Sequence, residues 1–189
     1  MSFIRVALLA LLCQKGTHSK AINSFAGPYT LYTERFYMCE LNRSFPAWGW
    51  HFRTTRFNPY KPREIQLLTG NLTVSQPMDD SSWGKIVMDV WAHDQWKENS
   101  FVFEFKNKGC TNLKQNIPSF YEHAFKKRET KASCIIRPGV YELNDAPVKW
   151  EYPNLPIMPY GRYRLKMKAG NTDPYCCFMV DVRVIPKVD

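Results

Sequence analysis

Residues 161–186 read GRYRLKMKAGNTDPYCCFMVDVRVIP, and two runs of strict alternation lie within them. Tyr163, Leu165 and Met167 alternate with Arg162, Arg164, Lys166 and Lys168. Phe178, Val180, Val182 and Val184 alternate with Met179, Asp181 and Arg183. Successive side chains of a strand point to opposite faces, so each run offers one apolar face and one more polar face. By the same parity Cys176 shares the inward face of Phe178 and Val180, and Cys177 shares the outward face of Asp181.

The same period recurs upstream. Trp48, Trp50 and Phe52 alternate with Gly49, His51 and Arg53; Ile86, Met88 and Val90 with Val87, Asp89 and Trp91; Phe101, Phe103 and Phe105 with Val102, Glu104 and Lys106. Less regular strands are expected near Tyr29–Met38, Glu64–Val74, Gly139–Leu143 and Val148–Tyr152. That makes about nine strands, punctuated by breaker pairs at Asn58-Pro59, Gly70-Asn71, Pro138-Gly139 and Tyr160-Gly161. Strands with one wet face suit antiparallel sheets stacked over a shared core. The expected fold is therefore all-β, an immunoglobulin-like antiparallel β-sandwich. One segment departs from period two. Across Pro118–Arg128, PSFYEHAFKKR, the apolar residues Phe120, Tyr121, Ala124 and Phe125 fall at helical spacing. Pro118 suits a first helical position and Lys126, Lys127 and Arg128 suit a helix C-terminus, so one short helix is expected there.

The first nineteen residues, MSFIRVALLALLCQKGTHS, read as a secretory signal peptide. Arg5 precedes the apolar run Val6–Cys13, which is too short to span a bilayer, and Thr17 and Ser19 sit like a cleavage signal. A buried N-terminal helix is the alternative. Residues 20–189 then form one domain, an ordinary size for a single core. Apolar residues are 44% and charged residues 23% of the chain, which argues against disorder; aromatic residues reach 15%, which implies an aromatic core or an aromatic ligand surface. With the leader removed, Cys39, Cys110, Cys134, Cys176 and Cys177 remain, an odd number in an oxidising compartment. The sequons at Asn42 and Asn71 fit a glycosylated secreted surface. The formal charge of +9 would suggest nucleic acid in an intracellular chain. Secretion and the scattering of the charges argue against that partner and favour an anionic membrane surface or acidic glycans, with a merely solvated basic face as the leading reading; a receptor is a further candidate partner.

Catalytic and cofactor motifs are absent from the sequence. No GxSxG elbow, HExxH, P-loop or dinucleotide fingerprint occurs, and no Cys/His cluster has zinc spacing. His51, His93 and His123 are the histidines of the mature chain, and they read as surface residues. Neither an enzyme, a metal site nor a cofactor is expected.

Between Cys134 and Pro186 the order of parts is distinctive. A cysteine is followed by Pro138-Gly139 and the Tyr141 strand, and then by the run Leu155-Pro156 to Tyr163 in the pattern LPxxPxGxY. A basic strand and a Cys-bearing last strand complete it. This arrangement resembles the ML lipid-recognition superfamily, in particular its ganglioside activator-like and insect chemosensory CheA/CheB-type secreted branches. The resemblance covers about fifty residues clearly and extends more loosely through Phe101–Phe125 and Cys39. It implies a sandwich opened into a lipid-binding cup. It also implies a bridge from Cys39 to a late strand and a second bridge, Cys110–Cys134; the parity above favours Cys177 as the partner of Cys39 and leaves Cys176 over. The vicinal Cys176-Cys177 departs from the family pattern.

Together these readings imply a non-catalytic binder of a hydrophobic small molecule or lipid, such as a cuticular hydrocarbon, in pheromone or taste detection. An interaction module with a filled core, or a lipid-transfer cofactor of an enzyme, are the competing classes. The expected cavity wall is Trp50, Phe52, Met88, Val90, Phe101, Phe103, Phe105, Leu165, Phe178 and Val180. The outward row Arg162, Arg164, Lys166 and Lys168 is the candidate for contact with anionic headgroups.

Overall fold

The computed structural model describes residues 25–39, 47–126 and 133–188. The proposed signal peptide and the Asn42 sequon lie outside these residues. Five long strands form one antiparallel sheet: β2 (Tyr29–Tyr37), β12 (Pro174–Pro186), β11 (Gly161–Gly170), β6 (Trp83–Ala92) and β7 (Gln95–Phe105), in that order. A second antiparallel sheet holds β3 (Gly49–Thr54), β4 (Leu67–Val74) and β9 (Gly139–Pro147). Among the described residues two short pairs complete the strands, β1 (Ala26–Gly27) with β10 (Met158–Pro159) and β5 (Met78–Asp79) with β8 (Ile135–Ile136). The fold is an all-β sandwich.

The alternation of residues 161–184 has the consequence that period two requires. Leu165 pairs with Met88 on one side and Val180 on the other, and Arg164 pairs with Asp89 and Asp181. The inner row is thus apolar across three strands, and the outer row alternates in charge. The strand expected over residues 148–152 is absent. Val148, Trp150 and Tyr152 do alternate, but they belong to the loop between β9 and β10, where no partner strand runs alongside. Gly70-Asn71 is likewise a strand interior rather than a turn, paired to both β3 and β9. Gly70 has φ +145° at a register shift, and a Cβ there would meet the His51 carbonyl oxygen at 1.9 Å, so the position demands glycine for close approach of two backbones.

Among the described residues two short helices, not one, connect the sheets. Helix α1 (Gly109–Asn116) escapes the sequence because GCTNLKQN has little apolar periodicity. Helix α2 (Pro118–Ala124) starts at the expected proline, buries Phe120, Tyr121 and Ala124, and ends before the basic residues assigned to its C-terminus. Cys110, at the start of α1, is bonded to Cys134, and Cys39 is bonded to Cys177. Cys176 is a free, buried thiol.

Buried side chains form two clusters. One fills the space between the three-stranded sheet and the helices, around Trp50, Leu68, Leu72, Phe120 and Leu143. The other lies on the five-stranded sheet, around Met88, Tyr163, Leu165, Val180 and Val182. Half-buried Phe36, Trp150 and Tyr152 pack against both. At the β2 edge the two sheets are tied by a buried amide. Gln66 Nε2 donates to the Thr33 and Thr55 carbonyls at 3.0 and 2.7 Å, and its Oε1 accepts from the Thr33 N–H at 2.8 Å. At the opposite edge no strand of the small sheet covers β7, and Phe101, Val102 and Phe103 are 39%, 47% and 38% exposed.

Candidate functional site

Between the two clusters lies a cavity of two adjoining lobes, one of about 330 Å³ and one of about 100 Å³. They share a wall formed by Ile86, Phe105, Ile117, Trp150, Met167 and Phe178. Close-packed interiors leave few voids larger than a water molecule, so a space of this size between stacked sheets is a candidate ligand site. Its origin is in the element lengths. A three-stranded sheet cannot cover five strands, and the shortfall is met by α1 and by the loop over residues 148–157.

The larger lobe is bounded by Met88, Leu165, Val180 and Val182 of the main sheet, by Phe103 of β7, by Leu155 of the proline-rich loop and by Met158 of β10. The smaller lobe is closed by Trp48, Trp50, Leu72 and Met78, by Phe120 and Phe125, and by Cys176. Burial pushes the Cys176 thiol up to about 12, so it stands in this wall as a small apolar group. No charged residue lines the larger lobe; its polar members are Thr33, Asn112, Asn116, Asn154 and Tyr152. Thr33 is committed to Gln66 and to the Thr54 hydroxyl. Tyr152 is half-buried; burial, with Tyr29 nearby, raises its hydroxyl far above the ordinary phenol range. The three asparagines form the rim. Asn154 Nδ2 donates to Asn116 Oδ1 at 3.1 Å, joining the loop to α1, and Asn116 Nδ2 donates to the Asn112 carbonyl at 2.9 Å.

No protein-family model and no curated protein matches this chain.

Of the ten residues expected to line the cavity, seven do. Trp50 faces the smaller lobe; Met88, Phe103, Leu165 and Val180 face the larger; Phe105 and Phe178 face both. Three do not. Phe52 is consumed by ring contacts with Phe36, Phe120 and Phe178. Val90 packs into the cluster around Tyr163. Phe101 lies on the uncovered β7 edge opposite Met88, where parity is right but no second layer exists. Missed from the sequence were Trp150 and Tyr152, taken for a strand, and Ile117 and the asparagines of α1, which carry no periodic signal.

The outward basic row is largely committed within the fold. Arg164 grips Asp181 through two hydrogen bonds, Nε to Oδ1 at 2.7 Å and Nη2 to Oδ2 at 3.1 Å. Asp181 is fully buried and also accepts from the Tyr37 hydroxyl at 2.9 Å. Arg162 pairs with Glu34 at 2.7 Å, and Lys166 pairs with buried Asp89 at 2.6 Å. Above these pairs the Arg164 guanidinium sits 4.3 Å from the Trp96 ring centroid, and Arg162 sits 5.5 Å from the same ring. Lys168 is exposed and has no ion pair among the described residues. The carboxylates opposite the row therefore neutralise three of its four cations before any headgroup could.

No group of three or more His, Cys, Asp or Glu residues that could hold a metal ion occurs among the described residues. His51 is exposed on β3, His93 sits in the turn between β6 and β7, and His123 Nδ1 lies 2.8 Å from the Ser119 carbonyl. Asn71 is exposed on β4. No helix among the described residues is long and apolar enough to cross a membrane. The two disulfides fit an oxidising compartment.

Proposed function

We propose that this protein is a secreted, non-catalytic binder of a hydrophobic ligand, of the ML lipid-recognition type, acting as a carrier in chemical detection. The observation that supports this reading is the two-lobed apolar cavity between the sheets, held open by a helix and a loop where a strand layer would otherwise close it. Preformed apolar concavities with a few polar groups at one side are how small-molecule sites are usually built. The order of cysteine, Pro-Gly strand, LPxxPxGxY run and Cys-bearing last strand supports membership of the superfamily, and the apolar run after Arg5 supports secretion. Titration with a fluorescent long-chain lipid tests the reading. Saturable uptake at one ligand per chain is expected, with uptake lost when Phe178→Asp places a charge in the wall shared by both lobes.

A second reading is supported by the β7 edge. Its exposed Phe101, Val102 and Phe103 suit a receptor or enzyme that adds a strand or docks an apolar surface there. The two readings are compatible, since a carrier must deliver its ligand to a partner. They separate experimentally, because Val102→Lys should weaken a partner contact and leave lipid uptake intact.

A further inference from the structure

We propose that the cavity selects single-chain lipids carrying one uncharged oxygen function, an alcohol, aldehyde or ester, over both ionised fatty acids and two-chain membrane lipids. The inference deepens the carrier reading and rests on it. Size excludes the two-chain lipids. The larger lobe, at about 330 Å³, stands at the lower end of the range for small-molecule sites, and the adjoining lobe adds only about 100 Å³.

Charge excludes the ionised acid. The larger lobe offers no cation, so a carboxylate drawn into it would lose its hydration without gaining a partner. Lys85 and Lys168 border the smaller lobe, but they are directly opposed members of the outward row of β6 and β11. Parity aims their ammonium groups away from the inner face, and Lys85 is already paired with Glu104.

What the larger lobe does offer is neutral hydrogen-bonding capacity. Tyr152 lines both lobes, and a protonated phenol hydroxyl can donate to a carbonyl or ether oxygen or accept from a hydroxyl. On the rim, Asn116 is engaged by Asn154 and by the Asn112 main-chain carbonyl, and the side-chain carbonyls of Asn112 and Asn154 are acceptors for a ligand hydroxyl. Such groups fix a ligand's direction, with its chain between Met88, Met167 and Leu165 and its oxygen towards Tyr152 and the rim.

The test is displacement of N-phenylnaphthylamine from the full mature protein by hexadecanol, methyl palmitate, hexadecane, palmitate above its titration range, and phosphatidylcholine. Hexadecanol and methyl palmitate should displace the probe at concentrations roughly five- to tenfold lower than hexadecane, the effect of one hydrogen bond, and lower still relative to palmitate. Phosphatidylcholine should not displace it. Tyr152→Phe should remove the advantage of the oxygenated ligands while leaving hexadecane unchanged, which a misfolded variant could not do. Lys168→Met should leave the ranking as it is. Palmitate equal to hexadecanol, with the palmitate affinity lost in Lys168→Met, would overturn the inference in favour of a carboxylate held at the outer lysines. Hexadecane equal to hexadecanol would overturn it in favour of plain hydrocarbon binding. Failure of the probe and of every ligand to bind would instead reject the carrier reading beneath it.

Discussion

The two ends of the sandwich obey the same alternation and end in different states. Beneath the three-stranded sheet, Leu68, Leu143 and Val148 are sealed from solvent at 0%, 2% and 1% exposure. On the far side of the five-stranded sheet, Phe101 and Phe103 occupy the corresponding inward positions and remain more than a third exposed. Pattern decides which face a side chain takes, but a second layer decides whether that face becomes a core. Where β4 and β9 lie opposite, the face is filled. Beside β7 only α1 and a proline-rich loop lie opposite, and the space between them is the cavity.

That contrast can be broken most forcefully at the covalent ties. Cys39–Cys177 closes a span of 138 residues and Cys110–Cys134 one of 24. In the chain-entropy account their removal costs about 5 and about 3.5 kcal/mol respectively. Denaturant titration of Cys39→Ser with Cys177→Ser, and of Cys110→Ser with Cys134→Ser, should show that order. Next in size is the filled end. Leu68→Ala should cost about 3–5 kcal/mol, because a sealed site cannot collapse around the missing atoms.

The outer face should respond almost as strongly. Arg164→Met leaves Asp181 buried with Tyr37 and a longer contact to Arg162, and a loss of about 2–3 kcal/mol is expected. The same substitution at exposed Lys168 should be nearly silent, within about 0.5 kcal/mol. Among the apolar positions the smallest stability effect belongs to the open end. Phe103→Ala should cost about 1 kcal/mol, well below the value for a sealed phenylalanine, and should reduce ligand affinity by more than it reduces stability. A loss as large as that of Leu68→Ala would mean that β7 is covered after all.

Much of this architecture was legible from parity. The alternation of residues 161–168 and 178–184 assigns every inward and outward side chain of β11 and β12, down to the outward Cys177 that meets Cys39 and the inward Cys176 that stays free. What parity cannot carry is partnership. Val148, Trp150 and Tyr152 alternate like a strand, and the side chains do divide as predicted, but no neighbouring strand makes the hydrogen bonds. The row of Arg162, Arg164 and Lys166 looked like a free basic surface because the carboxylates that neutralise it, Asp89, Asp181 and Glu34, arrive from other strands by long-range pairing. Helix α1 was invisible because GCTNLKQN carries little apolar periodicity, and no hydrophobic period marks the asparagines it brings to the cavity.

The account turns on the space between the sheets being a ligand site, and native mass spectrometry of the full protein, purified without detergent, tests that most directly. The predicted result is a mass excess of a few hundred daltons, the order of a drug-sized ligand, that is released into organic solvent as a single-chain lipid and is absent from Phe178→Asp. A spectrum showing the apo mass alone, from protein that also takes up no added lipid, would contradict it.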